Sequence, residues 1–146
     1  MAMNLHGTCV AIEGNGVLLR GAPGSGKSDL ALRLIDQYAD AILVADDRVD
    51  IVVRKGLLYA SPPPNIAGKL EVRGVGIVHV SFRPEAPLRL LVDLVGLEQI
   101  QRMPEPEQEE ISGVLLPRVR LAPFTPSAPA ILRQAVKLSG VQENPP

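Results

Sequence analysis

The stretch Gly21-Ala22-Pro23-Gly24-Ser25-Gly26-Lys27-Ser28 decides how the rest of this 146-residue chain is read. It satisfies the P-loop pattern G-x-x-x-x-G-K-[ST] at every fixed position. Glycines let a loop turn tightly and bring backbone N–H groups up against phosphate oxygens. Lys27 is placed to reach the β- and γ-phosphates of a nucleotide, and the Ser28 hydroxyl suits Mg²⁺. A helix starting at the loop turns its positive end toward the same anion. An ordinary Gly-rich turn before a helix could carry the same letters, so the flanks must decide. Upstream, residues 9–12 and 17–20 read as strands, with Asn15-Gly16 as the hairpin signal between them. The second of these runs straight into the loop. Downstream, Leu30, Ala31, Leu34, Ile35 and Tyr38 recur at helical spacing, with Asp29, Arg33 and Gln37 on other faces. Strand, loop and helix therefore follow in the order the motif requires.

Further out, Ala-Ile-Leu-Val-Ala at 41–45 is an apolar run of strand length, the pattern of a fully buried central strand, and it ends at Asp46-Asp47. Residues 49–53 and 57–60 predict a second hairpin turning at Lys55-Gly56. Three consecutive prolines put 61–65 in a loop. Residues 70–80 mix strand formers with Gly74 and Gly76; 84–87 is a break, and 88–94 is a strand. The charged segment 96–110, with Pro104 and Pro106, predicts a loop with partial helix. Residues 114–121 read as a strand in which Pro117 marks an edge or a bulge. A proline-rich loop at 123–129 leads to a helix over 130–138, with Ser127 or Pro129 at its start and Gly140 at its end. Residues 1–4 are expected to be a loose start and 141–146 a frayed tail. The expectation is a single domain over 1–146, α/β and strand-rich, with few helices.

Bulk composition narrows the function. The length suits one domain with a real core. Aromatics make up only 3% and tryptophan is absent, so the core must be aliphatic and a stacking platform for single-stranded nucleic acid is not expected. A net charge of −1 provides no basic footprint for DNA or RNA. The single cysteine, Cys9, allows no internal disulfide and no Cys-based zinc site, and is expected to be a reduced, buried thiol. No signal peptide opens the chain and no apolar run is long enough to span a bilayer, so a soluble cytoplasmic protein without membrane partners is expected.

Several side chains are candidates for chemistry. Asp46 and Asp47 are adjacent carboxylates at the end of a strand; beside a P-loop, one can hold a metal shell while the other acts as general base toward a hydroxyl. In Leu-Glu-Val-Arg-Gly-Val-Gly-Ile (70–77), Glu71 and Arg73 share a face if the chain is extended, which suits a metal ligand and a phosphate-stabilising cation, or simply a cross-strand ion pair. His6 and His79 stand alone in the sequence, the usual pattern of surface or satisfied core histidines. Arg102 lies in a charged loop, and Arg118 and Arg120 alternate along a strand in the manner of an exposed edge.

Taken together, these features resemble the catalytic domain of HPr kinase/phosphorylase, a bacterial enzyme family acting on a serine of the phosphocarrier protein HPr. The resemblance rests on four elements that cover nearly the whole chain: Leu5-His6-Gly7, the P-loop at 21–28, Leu43-Val44-Ala45-Asp46-Asp47 followed by Val49-Asp50-Ile51, and the signature Leu70-Glu71-Val72-Arg73-Gly74-Val75-Gly76-Ile77. It implies a strand-rich P-loop variant akin to phosphoenolpyruvate carboxykinase. It further implies ATP on residues 21–28 with Lys27 on the phosphates, Mg²⁺ on Ser28 and Glu71, and Asp47 as proton acceptor supported by Asp46. His6 and Arg102 correspond to active-site residues of the family, and Arg73 would help to spread developing charge. HPr is the implied partner, and a homo-oligomer, a hexamer in the family, is the implied assembly. Three departures stand out. The residues of this chain match only the family's catalytic domain and not its separate N-terminal domain, so the resemblance implies a short form comprising that domain. The family's Arg-Pro-Gly-Arg-Asn stretch is replaced around 121–128 by Leu-Ala-Pro-Phe-Thr-Pro-Ser-Ala, which lacks arginine and so bears on dephosphorylation. His79 stands where Asn or Asp is common. An ATP- and Mg²⁺-dependent HPr serine kinase is the leading expectation; a small-molecule kinase or carboxykinase-like enzyme on the same scaffold and a non-catalytic ATP-sensing module are the alternatives.

Overall fold

The computed structural model describes residues 2–139. Its elements in chain order are β1 (Ala2–His6), β2 (Thr8–Ile12), β3 (Asn15–Arg20), α1 (Lys27–Gln37), β4 (Ala41–Ala45), β5 (Arg48–Arg54), β6 (Leu57–Ser61), β7 (Lys69–Val72), β8 (Gly76–His79), β9 (Ala86–Leu94), β10 (Glu107–Ile111), β11 (Val114–Leu121) and α2 (Ala128–Leu138). This is a strand-rich α/β fold with two helices among the described residues. One mixed sheet runs β1-β5-β6-β9-β3-β2-β4, with β11 adding to β9 and β10 to β11; β7 and β8 form a separate hairpin. Both β3 and β11 run parallel to β9. The loops that leave β3 and β11 therefore emerge at the same end of the sheet, where ligands of open α/β sheets bind.

The two faces of the sheet carry two aliphatic cores. Val10, Ile12, Val17, Leu19, Leu90 and Val92 pack under α1, α2 and the β7–β8 hairpin, while Cys9, Ala11, Leu18, Val49, Leu58 and Leu91 fill the opposite face. Strand alternation accounts for this division, and two irregularities in the ladders change its phase. Gly16 pairs with Leu88 but Val17 with Leu90, which bulges β9 at Arg89. Cys9 pairs with Ala45 but Val10 with Leu43, which bulges β4 at Val44. Cys9 is fully buried, and burial pushes its thiol up to about 12.

Several sequence expectations are corrected. The first hairpin turns at Glu13-Gly14, both at positive φ (51° and 82°), and Ile12 pairs with Asn15. Asn15-Gly16 lies within β3 instead, and Gly16 is needed because a Cβ there would stand 2.7 Å from Pro87 O on the adjoining strand. Residues 2–4 are not loose but pair with β5. The run at 41–45 is buried yet not central: β4 ends the sheet path, beyond it only the isolated bridge Leu43–Phe82 is formed, and β9 takes the central place. Of the 96–110 segment, expected to be a loop with partial helix, Leu97–Gln99 forms a short 3₁₀ helix, but its acidic end goes into a strand, β10. Its carboxylates meet arginines across the sheet: Arg118 pairs with Glu107 at 3.0 Å and Arg120 with Glu107 at 3.2 Å. Arg118 is thus enclosed in an ion-pair layer between β10 and β9, while Arg120 joins that layer from an exposed position beyond the end of β10. Pro117 faces Gln108 of β10, and pairing to β9 begins one residue later, so its missing N–H interrupts no ladder there. In α2 the buried positions are Ala128, Pro129, Leu132 and Val136, whereas Ile131 and Leu138 are exposed. The expected helix end at Gly140 and the tail at 141–146 lie outside the described residues.

Candidate active site

The 21–28 loop joins the end of β3 to α1. Ser25 N–H closes a turn on Ala22 O at 3.0 Å, and Gly26 takes a left-handed conformation (φ 99°) as the residue preceding α1. No side chain caps α1, so its first backbone N–H groups stay available to an anion, as helix N-termini require. The Ser25 hydroxyl is buried with no hydrogen-bond partner in the described structure. Lys27 folds back across the loop, its Nζ donating to Gly21 O at 2.7 Å and Ala22 O at 3.2 Å. An uncapped helix start, an orphaned buried hydroxyl and an ammonium inside the loop are the donor set a phosphate chain needs.

At the base of the loop, Arg20 is anchored from the sheet. It donates to Asp93 at 2.9 Å and to both oxygens of Glu109 at 2.7 and 2.8 Å. These contacts, led by the Glu109 bonds, raise the Arg20 pKa and hold Glu109 below the usual carboxylate range.

The two aspartates diverge. Strict alternation from Leu43 would turn Ala45 toward α1 and Asp46 away from it. The bulge at Val44 shifts that phase: Ala45 joins Val44 in the far core and Asp46 turns to the helix side. There Asp46, only 7% exposed, accepts three hydrogen bonds, from Ser28 Oγ at 2.7 Å, Thr8 Oγ1 at 2.9 Å and Glu71 N–H at 3.3 Å. One carboxylate thus ties the loop's last residue to β2 and to the β7–β8 hairpin. Because Ser28 gives its proton to Asp46, its oxygen lone pairs are left to face a cation.

Asp47 points the other way. It sits in the left-handed region (φ 75°), its side chain is 74% exposed, and Oδ1 lies 3.2 Å from His6 Nε2. Gly7 N–H, next to His6, bonds Asp47 O at 3.1 Å and locks the two segments together. Gly7 is required here, since a Cβ would stand 2.9 Å from Leu19 O. The structure therefore brings together Ser28, Asp46 and the Glu71 backbone by direct contacts, and His6 with Asp47, while Lys27 bonds within its own loop.

The other candidates lie apart from these contacts. Arg73 is in the turn after β7 rather than on its strand face, so it does not share an extended face with Glu71. Arg102 is exposed and lines a groove between the 99–108 segment and α2, with no hydrogen bond or ion pair to the loop among the described residues. His79 ends β8, exposed, opposite Lys69. Thr8 was missed by the sequence reading: its only signal is a hydroxyl opening an otherwise apolar strand.

Among the described residues no three His, Cys, Asp or Glu side chains form a metal cluster. Mg²⁺ does not need one, since it keeps several waters and takes one or two protein ligands alongside substrate phosphates. The Ser28 hydroxyl and the Asp46 carboxylate, 2.7 Å apart, are oxygen donors of that kind, and Glu71 adjoins them through its backbone N–H.

Comparisons with known proteins identify the family. The family model described as HPr Serine kinase C-terminal domain matches residues 1–132. The HPr kinase/phosphorylase of Streptococcus thermophilus (strain ATCC BAA-491 / LMD-9) is 36% identical over 130 residues, covering 81% of this chain and 41% of that protein. The protein of the same name from Streptococcus salivarius is 35% identical with the same coverage. The chain thus spans about two-fifths of the length of these curated relatives. The solved structure of the Hpr(Ser) kinase/phosphatase from Coxiella burnetii superposes with a TM-score of 0.81 at 26% identity, over 93% of this chain and 89% of that one. Because that family model covers residues 1–132, the chain belongs to the HPr Serine kinase C-terminal domain family.

Proposed function

We propose that this chain is an ATP- and Mg²⁺-dependent protein-serine kinase whose acceptor is an HPr-type phosphocarrier protein, acting within a homo-oligomer. The observation that carries the reading is the pair of divergent aspartates at the loop: Asp46 holds Ser28 at 2.7 Å, while exposed Asp47 is left facing outward with His6 at 3.2 Å. One carboxylate organises the phosphate site and its neighbour is accessible to an incoming hydroxyl. Residues 21–28 take the triphosphate, with Lys27 exchanging its carbonyl partners for phosphate oxygens. Ser28 and Glu71, steadied by Asp46, would hold Mg²⁺. Bound there, Mg²⁺ supplies positive charge to the phosphate oxygens.

The acceptor serine oxygen bonds to the γ-phosphorus as the bond from that phosphorus to the β,γ-bridging oxygen breaks. The serine proton passes to Asp47, and ADP leaves. His6 keeps the Asp47 carboxylate oriented for that transfer. Catalysis is then chiefly positioning and charge stabilisation, with Arg73 and Arg102 as further cations that can approach when the acceptor docks.

The test is incubation with HPr, Mg²⁺ and labelled ATP, followed by serine-phosphorylated HPr with phosphate for the reverse reaction. Label on the carrier serine is expected, and Asp47→Asn should cut transfer by about 10²- to 10⁴-fold, the usual share of a general base, with ATP affinity unchanged. Label on a metabolite instead would favour a small-molecule kinase, and ATP binding without transfer a sensing module.

A further inference from the structure

The loop that follows β11 carries an unexplained aromatic residue. Phe124 is 69% exposed, and its ring lies directly on the 21–28 loop: a Cβ on Gly26 would stand 2.9 Å from both Cε1 and Cζ of that ring and 3.3 Å from Pro123 Cγ. Aromatic residues are scarce in this chain, with two Tyr and two Phe. The others are engaged elsewhere: Arg133 covers Tyr38 at 4.2 Å, Arg54 covers Tyr59 at 4.0 Å, and Phe82 packs beside Gly68. Phe124 is also held in place. Arg33 of α1 donates to the carbonyls on either side of it, Pro123 O and Thr125 O. The backbone that carries the ring is thereby tied to the same helix whose N-terminus the 21–28 loop opens. An exposed apolar ring costs solvation, and bracing it there limits the entropy lost when something covers it.

The topology says what could cover it. The loops after β3 and β11 leave the same end of the sheet. A nucleotide whose phosphates lie on the backbone N–H groups of residues 24–28 must carry its ribose and base past the rim of that loop. We propose that Phe124 is the platform on which the nucleotide base stacks, making it a binding residue for ATP. This inference rests on reading residues 21–28 as the phosphate site.

The experiment compares ATP with inorganic tripolyphosphate, which carries the phosphates and no base, by calorimetry on the wild-type chain, Phe124→Ala and Phe124→Tyr. Phe124→Ala is expected to weaken ATP by about 5- to 150-fold, the range for losing one base-on-aromatic stack, and to leave tripolyphosphate affinity unchanged. Phe124→Tyr keeps the ring face and should restore ATP binding to within about threefold of wild type. Equal loss for both ligands would overturn the proposal, because the ring would then only support Gly26. No loss for ATP would also overturn it, including the case in which only transfer to the protein acceptor suffers and the ring serves docking. If the wild-type chain binds neither ligand, the phosphate-site reading itself falls and the platform with it.

Discussion

Asp46→Asn and Asp47→Asn make the same chemical change one residue apart, and the geometry requires opposite outcomes. Asp46 uses two oxygens to accept from Thr8, Ser28 and the Glu71 N–H. An asparagine has one carbonyl oxygen, so an NH₂ group must face either the Glu71 N–H or the two hydroxyls. Two charge-assisted bonds become neutral at a loss of about 1 kcal/mol each, and an unpaired donor adds about 1–3 kcal/mol. Removing a buried charge returns part of its desolvation cost. The net destabilisation is about 2–3 kcal/mol, or a fall in Tm of about 6–12 °C for a chain of this size. Asp47, by contrast, is largely exposed with one side-chain partner, a pairing that contributes about 0–1 kcal/mol. Asparagine tolerates its left-handed backbone as well as aspartate does, so Asp47→Asn should shift Tm by less than about 4 °C. The assay is thermal and urea unfolding of both variants without nucleotide. Thr8→Val serves as a second probe: its cost in wild type, about 1.5–3 kcal/mol, should shrink by at least about 0.5 kcal/mol in the Asp46→Asn background, since contacting residues do not add. Equal stability of the two asparagine variants, or full additivity of Thr8→Val with Asp46→Asn, would refute the picture of Asp46 as the buried acceptor.

Two further outcomes follow from titration. Cys9 is fully buried with its thiol pushed up to about 12, so a thiol reagent at neutral pH should leave the native chain unlabelled and label it stoichiometrically in denaturant; rapid native labelling would contradict that burial. Asp40 and Glu109 are held below their ordinary values of 3.8 and 4.5, chiefly by hydrogen bonds from Arg133 and Arg20. A depressed carboxylate contributes stability above its unfolded pKa and loses it as pH falls through the folded value. The urea midpoint should therefore drop below about pH 4.5, and Glu109→Gln should reduce that drop; a midpoint constant from about pH 6 to pH 3 would count against these pairs.

Much of the fold near the loop was legible because its causes are local. The apolar run of β3, the glycines at 21, 24 and 26, and the helical spacing of Leu30, Ala31 and Leu34 are each set by residues within a few positions of one another. So is the second hairpin, where Lys55 and Gly56 supply the two positive φ angles. β10 was not legible because Glu107 and Glu109 read as solvated charges until Arg118 and Arg120 of the adjoining strand and Arg20 of a distant one meet them. The exposed face of α2, with Ile131 and Leu138, was likewise invisible to a periodicity that counts apolar letters without knowing where the sheet lies.

Local patterns suffice to place a Gly-rich loop with Lys27 and Ser28 between a strand and a helix, and two carboxylates at the end of a nearby strand. Which carboxylate is buried and which faces solvent depends on contacts between distant segments. His6 meets Asp47 from 41 positions away and Thr8 meets Asp46 from 38, and the bulge at Val44 turns Asp46 toward Ser28 and leaves Asp47 outside. The physical reason is that strand phase is a property of two paired strands: a shift of one residue exchanges the faces of everything that follows, and no single stretch of sequence records it.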